Sequence, residues 1–180
     1  MLSTTSKMSK RQTSFPIRED RQHKIEVHVA GFCFRRMTNT IQVLVGRRKK
    51  NRDLFPDRWE CGGGQVYSDE SFEEALRRQY VEEFGMEIRI LYPLVVYEIH
   101  RERGPKIPGL KFLCVSTDNG NEQVALNHRE FSECKWVAER EFKHLRTIPG
   151  VQEVAKLAFA GAKRHFIRPR QVPERIGFHK

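Results

Sequence analysis

The stretch Gly62–Met86, GGGQVYSDESFEEALRRQYVEEFGM, constrains this chain more than any other part of it. A glycine loop comes first, a segment dense in carboxylates follows, and Gly85 closes it. Ser71 with Glu74 three residues on has the pattern of a reciprocal N-terminal cap, which predicts a helix opening at Ser71. Gly85 predicts its end, because a left-handed terminal residue costs least as glycine. Phe72, Ala75, Leu76 and Gln79 recur at helical spacing and Glu83 continues the line, so one face is expected to begin apolar and end acidic. Gln79, Glu82 and Glu83 stand at i, i+3 and i+4, which predicts one convergent patch. Adjacent inward carboxylates repel, and one gives up its charge unless a cation lies between them. A hard divalent ion such as magnesium answers that demand, being held through oxygen while keeping waters for a phosphate ligand.

Read position by position, this stretch resembles the Nudix hydrolase signature, G-x5-E-x7-R-E-U-x-E-E-x-G-U with U a bulky apolar residue. Gly64 opens it, Glu70 and Arg78 follow in register, and Glu82, Glu83, Gly85 and Met86 complete it, with Tyr80 in the first bulky slot. Gln79 stands where the family carries a second glutamate. The preceding Trp59-Glu60-Cys61-Gly62-Gly63-Gly64 is also similar to the family's approach to the box, with glycine where proline is common. Fixed residues in register over more than twenty positions make a far more specific signal than an isolated glycine motif.

The rest of the chain predicts strands around this helix. Ile25, Val27 and Val29 alternate with polar residues and lead into Gly31-Phe32-Cys33-Phe34, the period of a strand, and Ile41, Val43 and Val45 make its hairpin partner. The basic run at 46–53 reads as a loop and Leu54–Asp57 as a turn. Ile88–Ile99, interrupted by Pro93, and Leu110–Ser116 read as strands flanking a loop at 101–109, with a turn at 118–121. Cys134–Val137 reads as a short last strand. A short helix is expected over Ala138–Leu145 and a longer one over Val151–Lys163, with Val154, Leu157, Ala158 and Ala162 on one face. Strands interleaved with helices predict an α/β fold, and the resemblance implies a Nudix-type α/β/α sandwich with a mixed β-sheet between helices. The expected division is a flexible basic N-terminal tail at 1–23, a Nudix domain at 24–162 and a basic C-terminal tail at 163–180.

Composition matters here for where the charge lies. Of the net +10, residues 1–24 hold +4 and residues 163–180 hold +5. Arg47, Arg48, Lys49, Lys50 and Arg52 form a third basic run. Solvated tails and a loop are the plainer reading; nucleic-acid contact or steering of an anionic nucleotide substrate is the sharper one, although neither tail interleaves aromatics with its charge. No apolar run is long enough to span a bilayer, and the first fifteen residues lack the apolar core of a secretory signal, so a cytoplasmic protein is expected. Cys33, Cys61, Cys114 and Cys134 form no C-x-x-C pair, which predicts reduced thiols rather than a zinc site or disulfide.

The resemblance implies hydrolysis of a nucleoside diphosphate derivative, a small-molecule nucleotide substrate, with Glu82 and Glu83 as magnesium ligands beside the Gly63 carbonyl. Manganese is the alternative ion. Gly63 and Gly64 let the main chain approach ion and phosphate, and Arg78 orients Glu70 or Glu82. An amide oxygen at Gln79 can ligate but cannot serve as base, so Glu130, six residues before Trp136, is the candidate for that role. His100, His128 and Glu133 are weaker candidates, and Phe55, Tyr67 and Tyr97 are expected in packing rather than base stacking. The competing reading is a catalytically impaired Nudix-fold module that binds a nucleotide or a partner, RNA among them. Many relatives dimerise, so a homodimer is a further expectation.

Overall fold

The computed structural model describes residues 25–101, 104–118 and 123–167. The expected tail at 1–23 and most of that at 163–180 lie outside the described residues. The elements are β1 (His28–Met37), β2 (Thr40–Arg48), β3 (Trp59–Glu60), β4 (Gly63–Gln65), α1 (Phe72–Phe84), β5 (Ile88–Ile99), β6 (Ile107–Ser116), β7 (Phe131–Ala138), α2 (Glu139–Phe142) and α3 (Val151–Ile167).

Period-two alternation explains why the sheet is covered on both faces. Val29 and Cys33 of β1, Leu44 of β2, and Phe112 and Cys114 of β6 pack with Ala75, Leu76, Tyr80 and Phe84 of α1. The residues between them point the other way. Phe32, Phe34, Val43, Val45, Leu113 and Val115 pack with Ala155, Ala158, Phe159 and Ala162 of α3. Each fully buried Phe, Leu or Val contributes roughly 1.5–3 kcal/mol to this layering. The strand order is β3-β2-β1-β6-β5, with β4 on β1 and β7 on β2. β1 and β6 run parallel while the other strand pairs are antiparallel, so the sheet is mixed, as expected.

Several local expectations are corrected. The glycine loop is partly strand, since Gly63, Gly64 and Gln65 pair with Ala30, Val29 and His28. The face α1 buries is Ala75, Leu76, Tyr80, Glu83 and Phe84, whereas Phe72 is exposed at the first turn. In α3 the inward line is Val151, Ala155, Ala158, Phe159 and Ala162, and Leu157 faces solvent. That helix runs on to Ile167, β6 begins at Ile107 and β7 at Phe131, all longer than the sequence pattern predicts. Pairing to neighbours extends the strands beyond their apolar runs.

The fold places the C-terminal half of α1 against the glycine segment. The buried Tyr80 hydroxyl donates to the Gly31 carbonyl at 2.6 Å, and Gly31 N–H donates to the Gly62 carbonyl at 2.9 Å. At the far end of α1, Ala125 and Asn127 donate backbone N–H groups to the Phe84 and Glu83 carbonyls at 2.8 Å each. Those bonds satisfy carbonyls that a helix end leaves open, and they bring the segment leading to Glu130 over the same end of the helix. No helix among the described residues is long and apolar enough to cross a membrane.

Candidate hydrolytic site

Glu83 is the centre of the site. It is 2% exposed, and the Gly63 N–H donates to its Oε2 at 3.0 Å. Burial pushes its carboxyl well above the ordinary range, and the nearby charges of Glu60 and Glu130 push the same way. Glu60 on β3 is also raised by burial, opposed by Arg48, whose Nη1 lies 2.5 Å from its Oε1. With a side chain 18% exposed, Glu60 keeps a solvent edge that Glu83 lacks. The charges of Glu60 on β3 and of Glu130 before β7 thus both bear on Glu83 of α1.

The expected convergence of Gln79, Glu82 and Glu83 is therefore redistributed. Glu82 turns outward, its side chain 51% exposed, and accepts from Arg78 Nη1 at 3.2 Å. The half-buried Gln79 lies against the glycine segment: a Cβ built on Gly64 would fall 2.6 Å from its amide carbon and nitrogen. The like charges that raise Glu83 are those of Glu60 and Glu130. On a helix, consecutive residues point about 100° apart, so adjacent glutamates share a turn without sharing a face.

Arg78 is committed to positioning. It holds Glu70 through Nε at 3.0 Å and Nη2 at 2.5 Å, donates to the Gln65 carbonyl at 3.0 Å, and lies 4.1 Å over the Tyr67 ring. Glu70 in turn accepts from the Tyr67 N–H at 2.7 Å, so one guanidinium ties the start of the box to the middle of α1. That paired geometry drives the Glu70 carboxyl below its usual range and raises Arg78.

Gly63 has φ +153°, and a side chain there would run into the backbone of Val29 and Ala30. Only glycine lets β4 lie this close to β1 while aiming its N–H at Glu83. Glu130 pairs with Arg52 at 3.4 Å, and the Lys49 N–H donates to its backbone carbonyl at 3.0 Å. His100 and His128 are exposed at the surface, and Glu133 pairs with Arg47 at 2.9 Å. Tyr97 packs against Gly109 and lies 3.8 Å beneath Lys111 Nζ, while Phe55 stands in the loop before β3.

Sequence reasoning passed over Glu60. Its signal is a carboxylate on the strand between the buried Trp59 and Cys61, immediately ahead of the glycines. All four cysteines are free thiols, with Cys33, Cys61 and Cys114 buried.

The donor set suits an open magnesium site. Among the described residues no three His, Cys, Asp or Glu side chains close into a cage. Magnesium does not require one, since it binds through one or two carboxylates and retains waters. Glu83 and the half-buried Gln79 amide lie against the glycine segment and offer oxygen donors there, while Glu82 points to solvent. Glu60 and Glu130 both push Glu83 toward its neutral form, and a divalent cation at Glu83 would oppose that push.

The chain also resembles known proteins in sequence and fold. The NUDIX domain model matches residues 25–157. The nucleoside triphosphatase NudI of Salmonella arizonae is 33% identical over 110 residues, 55% of this chain and 74% of that protein. NudI of Escherichia coli O139:H28 is 32% identical over 111 residues, 56% of this chain and 76% of that protein. Among solved structures, the Nudix hydrolase RenU of M. smegmatis superposes with a TM-score of 0.64 at 20% identity, covering 76% of this chain and 86% of that one. The C. elegans Ap4A hydrolase binary complex gives a TM-score of 0.64 at 16% identity, covering 79% and 100% respectively.

Proposed function

The chain belongs to the NUDIX family and is a Nudix pyrophosphohydrolase, and from that premise we propose that it is magnesium-dependent and cleaves the pyrophosphate of a nucleotide. The observation that carries this reading is the buried Glu83 carboxylate, fixed by the Gly63 N–H at 3.0 Å, on which the charges of Glu60 and Glu130 bear. Glu83, the Gly63 carbonyl, Gln79 and Glu82 would hold the ion, with manganese as its substitute. When bound, magnesium supplies neutralisation of the diphosphate charge and acidification of an attacking water. Phosphoryl transfer needs little beyond that and positioning, which the folded chain provides through β4 and the end of α1.

Each residue then has a task. Glu83 presents one oxygen to the Gly63 N–H and keeps the other for the ion. Glu130 takes the proton from water, its side chain oriented by Arg52. Arg78 holds Glu70 and Glu82 in place without touching the substrate. Gln79 contributes an uncharged oxygen beside Gly64, so the site carries one negative charge fewer than the family's pattern. The resemblance to NudI, a nucleoside triphosphatase, favours a nucleoside triphosphate or related nucleotide as substrate. The free thiols accord with the cytoplasm.

The test is product release from nucleotide pyrophosphates in magnesium, in manganese and in chelator. Turnover that vanishes in chelator and rises on Gln79→Glu is the expected result. Tight nucleotide binding without turnover in either form would replace hydrolysis with the binding-module reading.

A further inference from the structure

A second feature adjoins the site. Arg48, Arg52, Arg58, Arg101 and Arg146 line a groove of about 990 Å³ in which Asp53 is the one acidic lining residue described. That volume is of the size that holds a nucleotide-scale ligand. Arg48, Arg52 and Arg101 are each matched by a carboxylate outside the groove, Glu60, Glu130 and Glu26. Arg58 and Arg146 make no ion pair with any described residue. Two guanidinium groups without a counter-charge among the described residues, beside three more on the same wall, make a concave surface that concentrates anions.

Two side chains link the groove to the hydrolytic centre. Arg48 and Arg52 line the groove and pair with Glu60 and Glu130, the two acids whose charge bears on Glu83. The loop between β2 and β3 is bent to make the wall: Phe55 and Asp57 adopt φ of +51° and +60°, and Asp57 is anchored by Arg47 at 2.8 Å. Bulky residues rarely accept that backbone region, and a bent loop held this way accords with a built groove rather than a passive one.

We infer that this groove binds phosphates beyond the pyrophosphate that is cleaved, so that the enzyme prefers nucleotides carrying a longer phosphate chain. Guanidinium groups match phosphate oxygens in geometry as well as charge, whereas a neutral sugar in the same place would leave Arg58 and Arg146 without partners. This inference rests on the pyrophosphohydrolase reading for its location and on the arginines for its chemistry.

The experiment compares ADP-ribose, ATP and adenosine tetraphosphate, which carry no, one and two phosphates beyond the first pyrophosphate. The full chain is assayed beside Arg58→Gln, Arg146→Gln, the double variant and Lys156→Gln, a single charge removed from the exposed side of α3. Binding of inorganic tripolyphosphate is measured by calorimetry on each. KM is expected to fall along the series and to rise about tenfold per arginine removed for the tetraphosphate, the loss lying in KM rather than kcat. Lys156→Gln is expected to behave as the parent. Tripolyphosphate affinity is expected to drop in the double variant even if no substrate turns over, which separates failure of the groove from failure of the hydrolytic reading. Equal KM values across the series, or tripolyphosphate affinity unchanged in the double variant, would overturn the inference.

Discussion

At the scale of single residues, the site is governed by close approach and burial. Gly63→Ala would drive a Cβ into the Val29 and Ala30 backbone, and a melting experiment should show a loss of roughly 2–4 kcal/mol. Gly64→Ala meets only the movable Gln79 amide, so activity should suffer more than stability. The two neighbouring substitutions should therefore separate in a plot of Tm against kcat. Glu70 contributes to the acid limb of stability. Because Arg78 holds its folded-state carboxyl below the unfolded value, its contribution is complete above the ordinary carboxylate range of about 4.3. It is lost as pH falls through the depressed folded value. Thermal melts from pH 7 to pH 3 should show a shallower acid decline in Glu70→Gln than in the parent. A parallel decline in both would show that the pair is indifferent to stability. This scale was the most legible in part. The Ser71–Glu74 reciprocal cap and the Arg78–Glu70 pairing are read directly from residue type and spacing. Glu60 was not legible, because its importance comes from β3 lying beside α1, a contact that no local pattern encodes.

At the scale of elements, α1 transmits its end to the loop that carries Glu130. Gly85 has φ +62°, and its N–H bonds the Val81 carbonyl at 3.0 Å, the terminal geometry that glycine makes cheap. A Cβ there would fall 2.7 Å from the Ala125 side chain, in the segment hydrogen-bonded to the last carbonyls of α1. Gly85→Ala should therefore cost about 1 kcal/mol or more in stability and also lower kcat, by displacing the segment before Glu130. Ser71→Ala, at the other end of the helix, should cost about 1 kcal/mol with kcat unchanged. If both variants leave kcat alone, Glu130 is positioned independently of the helix end. The elements themselves were mostly visible as periodicity, and their misplaced faces are instructive. Phe72 and Leu157 were assigned inward because they are large and apolar, yet α1 and α3 bury faces rotated away from them. A helix can bury several overlapping apolar lines, and the sheet beneath decides which one.

At the scale of the whole molecule, a sheet covered on both faces carries a polar site at one end of α1, and stability and function are opposed there. Burial raises the Glu83 carboxyl, so without metal its stabilising contribution is present below the unfolded carboxylate range and lost as pH rises through the higher folded value. Removing that ionisable group should make the metal-free protein more stable at neutral pH while removing its chemistry. The alternation that builds both cores was legible in the sequence from β1, β2 and β6 alone. The arginine groove was not, since its lining comes from the loop between β2 and β3, the end of β5 and the segment before α3, which only the folded chain brings together. The most direct measurement is Glu83→Gln against the parent at neutral pH, with turnover in magnesium and Tm in chelator taken on the same preparations. The account predicts turnover lower by roughly a thousandfold together with an equal or higher Tm, because glutamine keeps an acceptor for the Gly63 N–H and loses the buried charge. Retained turnover, or a Tm that falls with the activity, would contradict it and make Glu83 a structural residue.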